Sequence, residues 1–155
     1  MPRVFRLVQE KHTRDPSDLV SGEGARIYGG RWNRKGIPLI YTASHVSLAV
    51  LESLVHCDVL PKNMVLVAYD VPELSTRRAQ STESLPADWA EYPIPASTQD
   101  FGAAWAASRS ELVMTVPSAV VPVETNWLIN PAHADIATVT ATLLGRYPFD
   151  SRLSG

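Results

Sequence analysis

The sequence predicts an α+β fold, a compact single domain over residues 1–155 built on a mixed or mainly antiparallel sheet. Segments with a strand pattern outnumber those with a helical pattern, and the two kinds do not alternate regularly along the chain. The chain has 155 residues, of which 45% are hydrophobic and 19% charged. These values are those of one ordinary globular domain with a sizeable core.

In the first half of the chain, three apolar runs predict strands. Val4–Val8 is the first and Pro38–Ala43 the second, while Met64–Val71 is apolar along nearly its whole length, which predicts an internal strand. The segment Ser21–Gly30 is dense in glycine. Because glycine adopts backbone angles that other residues avoid, this segment is predicted to be a loop.

A helix is predicted from about His45 to Cys57, with Ser44 as its N-terminal cap. Its apolar residues recur at helical spacing, which places them on one face. They are Leu48, Leu51, Leu54 and Val55. Cys57 follows this apolar pattern, so a buried thiol is expected there rather than a nucleophile.

The second half is predicted to begin with a long surface connection, Ser75–Ser97, because that stretch is polar and contains prolines. The elements expected after it are a helix at Thr98–Arg109, a strand at Leu112–Val116 with an extension at Ala119–Val123, a loop at Thr125–His133 and a last strand at Ala137–Leu144. In the helix, helical spacing puts Phe101, Trp105 and Ala106 on a common side.

The charge balance argues against nucleic-acid binding. The formal net charge is −2, whereas proteins that hold nucleic acid usually present a basic face. A ribonuclease is therefore disfavoured. Arginine outnumbers lysine, and this favours a small phosphate-bearing ligand, because guanidinium groups bind phosphate in a bidentate manner.

A cytoplasmic protein without membrane contact is expected. The N-terminal segment becomes polar again within a few residues, unlike the apolar core of a signal peptide. No apolar run approaches the roughly 20 residues that span a bilayer. The single cysteine excludes an internal disulfide, in keeping with a reducing compartment.

The first cluster of candidate site residues is the run Gly29, Gly30, Arg31, Trp32 and Asn33. Two glycines allow the backbone to approach a ligand closely, and the arginine offers a planar fork of donors to a diphosphate. The alternative is a turn with an exposed arginine and a core tryptophan. This pattern alone does not decide between them.

The second cluster joins Tyr41, at the end of an apolar strand, to the predicted helix. Glu52 lies beside the apolar stripe of that helix, where a carboxylate must be paired or line a cleft. His56 lies one turn further on, which permits a hydrogen bond to Glu52. A metal site formed with His45 is the less favoured interpretation, because the ligand spacing is unfamiliar and no HExxH pattern is present.

The third cluster is Ser118, which follows Val116 and Pro117, with Asn126 and Asn130 in the segment beyond. The serine lacks the G-x-S-x-G context of a hydrolase nucleophile. It is expected either to donate to a ligand or to stabilise a turn.

Together these clusters resemble the RES-domain family, the toxin half of bacterial toxin–antitoxin pairs with Xre-type antitoxins. Three blocks carry the resemblance in the family's order, namely Gly29–His56, Val116–His133 and Phe149–Leu153. The arginine, glutamate and serine for which the family is named fall on Arg31, Glu52 and Ser118.

The resemblance implies a fold related to the ADP-ribosyltransferase toxins and a central cleft that binds NAD+. Family members degrade NAD+ by hydrolysis or phosphorolysis, and some transfer ADP-ribose to a protein. The catalytic residues implied here are Arg31, Tyr41, Glu52 and Ser118. Substrate contacts are expected from these and their neighbours, a set comprising Arg26, Gly30, Arg31, Asn33, Tyr41, Ser44, Ser118 and Asn126.

The residue chemistry agrees with that expectation. Cleavage of the nicotinamide–ribose bond develops oxocarbenium character, which the Glu52 carboxylate can stabilise. Arg31 would hold the diphosphate, Tyr41 would stack against nicotinamide and Ser118 would hydrogen-bond the ligand. No metal or cofactor is expected. NAD+ would be the substrate, with inorganic phosphate as an optional co-substrate, and no G-x-G-x-x-G dinucleotide fingerprint is present.

The resemblance also implies a partner, a helix-turn-helix antitoxin of the Xre type that covers the active site. The toxin is expected to form homo-oligomers or hetero-oligomeric complexes with it. Two alternative functions remain open at this stage, an ADP-ribosyltransferase that modifies a host protein and a non-catalytic module that binds a nucleotide or partner.

Overall fold

A computed structural model describes residues 1–154, which fold around one seven-stranded sheet. The strands are β1 (Arg3–Gln9), β2 (Ile40–Ala43), β3 (Met64–Asp70), β4 (Arg77–Ala79), β5 (Val113–Pro117), β6 (Thr125–Ile129) and β7 (Thr140–Arg146), and the helices are α1 (Glu23–Tyr28), α2 (Val46–Leu54) and α3 (Ala96–Ser108). The order across the sheet is β4-β5-β6-β2-β1-β3-β7. The pair β4–β5 is parallel and the other pairs are antiparallel. The predicted α+β class with a mainly antiparallel sheet is confirmed.

The sheet has an opening near its centre, between β1 and β2. Strand β1 pairs with β3 along its full length, from Arg3 opposite Asp70 to Gln9 opposite Met64. Within residues 1–154, β1 and β2 share a single facing pair, Phe5 opposite Ala43. Because the ladder stops there, the two strands separate on one side of that pair, and a cleft forms where backbone pairing would otherwise continue.

The hydrophobic core lies on both faces of the sheet. Successive strand residues point to opposite faces, so Val113 of β5 joins a cluster with Tyr69 and Ile129, whereas its neighbour Met114 joins another around Trp105. Helix α3 covers this second face. Helix α2 packs against β1 and β2 through a smaller cluster that comprises Ala43, Leu48 and Ala49.

Several predicted elements are confirmed. Strand β1 contains Val4–Val8, and β3 coincides with the predicted Met64–Val71 to within one residue. Strand β3 is internal as expected, since it pairs with β1 on one side and β7 on the other. Helix α3 buries Trp105 and Ala106.

The predicted loop Ser21–Gly30 is wrong, because it contains the six-residue helix α1. Two of its glycines lie at the boundaries of this helix. Gly22 precedes the helix with a φ of 67° and Gly29 follows it with a φ of 73°. Both angles are in the left-handed region that glycine adopts without a steric penalty. Gly22 and Gly29 therefore mark the ends of a short helix.

Helix α2 is shorter than predicted, and its buried face differs. It spans Val46–Leu54, and the residue at its N-cap is His45 rather than the predicted Ser44. The buried residues are Leu48, Ala49 and Val50. The rest of the predicted stripe is more open, since Leu51 and Val55 are exposed. Because the helix ends before Cys57, that thiol is exposed instead of buried as predicted.

Three assignments in the second half are also wrong. The predicted extension at Ala119–Val123 is a turn that follows β5, and the predicted loop Thr125–His133 begins with strand β6. Strand β6 forms because it lies between β5 and β2, which supply backbone partners on both sides. The connection Ser75–Ser97 contains the short strand β4 and a 3-10 turn at Thr82–Ser84.

No helix within residues 1–154 is both long enough and apolar enough to cross a membrane.

Candidate active site

The opening between β1 and β2 forms the cleft of the molecule, with a volume of about 830 Å³. Ligand pockets for small molecules commonly occupy ~300–1,000 Å³. The predicted site residues that line it are Gly30, Arg31, Tyr41, Glu52 and Asn126. These side chains come from the loop after α1, from β2, from α2 and from β6. The structure therefore brings together residues that lie far apart in the chain.

Arg31 is held in place by two backbone carbonyl groups. Its Nη1 donates to the carbonyl oxygens of Trp89 and Glu91, each at 2.8 Å. Within residues 1–154, its Nε and Nη2 donate to no other group. Burial lowers the pKa of the Arg31 guanidinium, while the negative charge of Glu52 acts in the opposite direction. Since arginine stays charged in proteins, the side chain offers fixed positive donors to an anionic ligand in the cleft.

Glu52 is oriented by a buried serine. Ser118 Oγ donates to Glu52 Oε1 at 2.7 Å. The same hydroxyl accepts hydrogen bonds from the backbone N–H groups of Val120, at 3.1 Å, and Val121, at 3.0 Å. The serine is fully buried, so these contacts fix its rotamer. Glu52 Oε2 accepts no hydrogen bond within residues 1–154, and the glutamate lines the cleft.

Tyr41 braces the loop that carries Arg31. Its hydroxyl donates to Asn33 Oδ1 at 2.6 Å and accepts from the backbone N–H of Trp32 at 2.9 Å. Burial raises the pKa of this hydroxyl well above its usual value, so it remains a neutral donor. Gly30 leaves room for this arrangement, because a Cβ at that position would lie 2.7 Å from the Tyr41 hydroxyl. The Tyr41 hydroxyl thus fixes the loop, while Tyr41 also lines the cleft.

Replacing Tyr41 with phenylalanine should lower the free energy of unfolding by about 2–4 kcal/mol. The substitution leaves the Asn33 oxygen and the Trp32 N–H without partners, and an unsatisfied buried group costs about 1–3 kcal/mol. Chemical denaturation measures the loss. The matched control is Tyr28→Phe, since Tyr28 is 78% exposed. A change no larger than that of the control would contradict the bracing role.

Asn33 and Ser118 are buried and do not line the cleft. The Nδ2 of Asn33 donates to the carbonyl groups of Ala25, at 2.7 Å, and Ile37, at 2.9 Å. With its oxygen bound to Tyr41, this side chain stabilises the loop instead of contacting a ligand. Ser118 lies behind Glu52, where its only donor is already used, so the expected hydrogen bond to a ligand is replaced by one to Glu52.

Arg26 and Ser44 also lie outside the cleft lining. Arg26 forms an ion pair with Glu23 on α1, and Ser44 Oγ lies 3.1 Å from His45 Nδ1. Both pairs are exposed at the surface. His56 does line the cleft. The hydrogen bond that the spacing permits between His56 and Glu52 is not formed within the described chain, and α2 ends at Leu54, before His56.

Sequence reasoning missed a second arginine of the cleft. Arg6, on β1, lines the same cleft as Arg31 and forms no ion pair or side-chain hydrogen bond within residues 1–154. The sequence signal that could have identified Arg6 is the presence of a charged residue inside the apolar run Val4–Val8. An unpaired cation on a central strand needs either solvent or an anionic partner.

The segment from Trp89 to Ile94 was also missed as part of the site. It supplies the two carbonyl groups that hold Arg31, and Tyr92 and Ile94 line the cleft. No periodic pattern marks this segment, which lies within the predicted surface connection Ser75–Ser97.

The side chains of residues 1–154 contain no group of three or more His, Cys, Asp or Glu arranged to hold a metal ion.

Comparison with known proteins gives matches over nearly the whole chain. A family model described as the RES domain matches residues 3–150. The chain is 39% identical over 153 residues to the "Prs ADP-ribosylating toxin" of Sphingobium sp. (strain YBL2), covering 96% of this chain and 94% of that protein. It is 38% identical over 157 residues to "Toxin Res" of Photorhabdus laumondii, with 97% and 96% covered. The "Toxin Res" of Yersinia enterocolitica is 36% identical over 155 residues, with 97% and 98% covered.

A solved structure shares the fold. It is a chain in the crystal structure of the M. tuberculosis MbcT-MbcA toxin-antitoxin complex, with a TM-score of 0.68 and 21% sequence identity, and the match covers 92% of this chain and 84% of that one. The family model and the relatives at 36–39% identity agree with the ordered sequence blocks. The chain belongs to the RES domain family.

Proposed function

We propose that this protein cleaves the bond between nicotinamide and ribose in NAD+ and acts as the toxin of a toxin–antitoxin pair. One observation carries the proposal. The Glu52 carboxylate, fixed through Oε1 by the buried Ser118, faces a cleft that Arg31 and Arg6 also line. A fixed negative charge beside positive donors matches a ligand with a cationic reacting group and an anionic diphosphate.

The distribution of charge in the cleft supports the binding of NAD+. The free donors of Arg31 bind the diphosphate, and Arg6 supplies a second positive charge from the strand β1. The ring of Tyr41 packs against nicotinamide. Asn126 lines the cleft from β6 and donates to the carbonyl of Thr42 at 3.3 Å, so its amide oxygen remains an acceptor for a ligand hydroxyl.

The reaction breaks the bond between ribose C1′ and the nicotinamide nitrogen. The bonding electron pair moves to the pyridinium nitrogen, so nicotinamide leaves as a neutral molecule and positive charge develops on the ribose. Glu52 stabilises this charge. The oxygen of water or of inorganic phosphate then bonds to C1′. With water, a proton is released and the products are nicotinamide and ADP-ribose. With phosphate, the products are nicotinamide and ADP-ribose-1″-phosphate.

A second candidate is transfer of ADP-ribose to a protein. It begins with the same bond cleavage, but a side chain of the target replaces water as the acceptor. The observation in its favour is the name of the Sphingobium relative, an ADP-ribosylating toxin that is 39% identical to this chain. The cleft that accepts NAD+ is the same in both candidates.

The distribution of products separates the candidates. Purified protein is incubated with NAD+ labelled in the adenylate half, with and without phosphate and with cell extract. Free ADP-ribose indicates hydrolysis, a phosphorylated ADP-ribose indicates phosphorolysis, and labelled protein indicates transfer. Intact NAD+ together with unlabelled protein in every condition would overturn both candidates and leave a non-catalytic binding module.

We also propose an antitoxin partner of the Xre helix-turn-helix type that covers the cleft. The solved structure with the same fold is that of a toxin–antitoxin complex. In this chain, Val55, Cys57 and Tyr92 are exposed and line the cleft, so a covering protein would bury apolar surface there.

A further inference from the structure

We propose that Tyr92 is the residue that binds the adenine base of the substrate, by stacking its ring against the face of the base. The inference rests on the proposed function, because it assigns one end of the same dinucleotide. It concerns the segment Trp89–Ile94, which lies along the chain between the 3-10 turn that ends at Ser84 and helix α3. Residues of this segment line the cleft.

The Tyr92 side chain is exposed on a backbone that is firmly held. It lines the cleft yet is 78% exposed. The carbonyl of Glu91, the preceding residue, accepts from Arg31 Nη1 at 2.8 Å. Further contacts fix the segment at both ends, since Trp89 packs against the core cluster and Asp88 accepts from the Ser97 hydroxyl at 2.5 Å. An aromatic ring on an ordered backbone is a surface that a planar ligand can cover at low entropic cost.

Tyr92 lies next to the group that would anchor the diphosphate. It follows Glu91 in the chain, and the carbonyl of Glu91 accepts from Arg31 Nη1. The proposed function assigns Glu52 and Tyr41 to the nicotinamide ribose and its base. With the diphosphate at Arg31, we therefore assign the exposed ring of Tyr92 to the second base, adenine.

The chemistry of the ring favours a base over a polar group. Within residues 1–154 the Tyr92 hydroxyl makes no hydrogen bond, so the residue is not held for the sake of its oxygen. Stacking of a base on an aromatic side chain is worth about 1–3 kcal/mol. Loss of that contact corresponds to a factor of about five to a hundred in affinity.

The test compares Tyr92→Ala and Tyr92→Phe with the wild-type protein in NAD+ turnover. Tyr92→Ala is expected to raise KM for NAD+ about five- to a hundredfold and to leave kcat within about twofold, because the reacting end is untouched. Tyr92→Phe keeps the ring and should retain the wild-type KM. Tyr28→Ala is the matched control, since Tyr28 is also 78% exposed and lies outside the cleft lining.

Inhibition by the two halves of the substrate identifies the base. In Tyr92→Ala, the inhibition constant of AMP should rise with the KM for NAD+, while that of nicotinamide mononucleotide should stay at the wild-type value. An unchanged KM in Tyr92→Ala would overturn the inference, and a shift for nicotinamide mononucleotide alone would assign the ring to the other base. Neither result affects the proposed function, which depends on turnover by the wild-type protein.

Discussion

Replacement of Glu52 by glutamine should lower kcat for NAD+ cleavage by about a hundredfold or more without disturbing the fold. The amide keeps the shape of the side chain and an oxygen that can accept from Ser118. It removes the negative charge that opposes the positive charge developing on the ribose. A single fixed group that stabilises the transition state commonly contributes a factor of about 10²–10³ to the rate.

The measurement is a steady-state assay of nicotinamide release, together with a thermal melt. KM should change little, because the carboxylate acts on the transition state more than on the bound substrate. Glu83→Gln is the control, since Glu83 lies in the 3-10 turn Thr82–Ser84 and does not line the cleft. If Glu52→Gln retained more than about half of the wild-type kcat, Glu52 could not be the catalytic carboxylate.

The comparison with Ser118→Ala tests whether the serine acts through Glu52. This variant leaves the charge in place but removes the hydrogen bond to Oε1, so its kcat should lie between those of the wild type and Glu52→Gln. In Glu52→Gln, adding Ser118→Ala should lower kcat far less than it does in the wild type. If the factors by which the two single substitutions lower kcat multiplied in the double variant, the serine would act independently of the glutamate.

The sequence was sufficient to locate much of this site because its central part is contiguous. Arg31, Tyr41 and Glu52 all fall within the block Gly29–His56, and the three side chains line one cleft. Local patterns also identified β3 from its apolar run and α3 from the spacing of Trp105 and its neighbours. In each case the information lies within a single window of the chain.

What the sequence did not predict depends on contacts between distant segments. Ser118 reaches Glu52 across 66 residues, and Arg31 reaches Trp89 across 58. No local sequence pattern shows that Ser118 donates its only hydroxyl hydrogen to Glu52. Similarly, β6 lacks a clean alternating pattern and becomes a strand because β5 and β2 flank it.

The loop that presents Arg31 depends on a glycine that lies far from it in the sequence. Gly102 is buried in α3. A Cβ at this position would lie 1.8 Å from the carbonyl oxygen of Trp32 and 2.6 Å from its carbonyl carbon. Both are backbone atoms, so a rotamer change cannot relieve the overlap. The helix and the loop are able to pack this closely because residue 102 has no side chain.

Gly102→Ala should therefore destabilise the protein by about 3 kcal/mol or more, since added volume in a packed core forces backbone movement. For a chain of this length, the loss corresponds to a fall in Tm of about 6–12 °C. NAD+ turnover should fall as well, because the displaced Trp32 is the immediate neighbour of Arg31. A thermal melt and the nicotinamide assay measure the two effects.

Gly24→Ala separates this steric effect from the general consequence of adding a methyl group to a helical glycine. Gly24 lies in α1, and a Cβ there would meet only the flexible end of Arg6, at 3.9 Å. Alanine is favoured over glycine inside a helix by about 0.5–1 kcal/mol, so this variant should have a Tm equal to or above the wild-type value. If Gly102→Ala melted within about 2 °C of Gly24→Ala, then α3 would not need to approach Trp32 so closely, and the loop carrying Arg31 would be fixed by its hydrogen bonds, such as those to Tyr41 and Gln99.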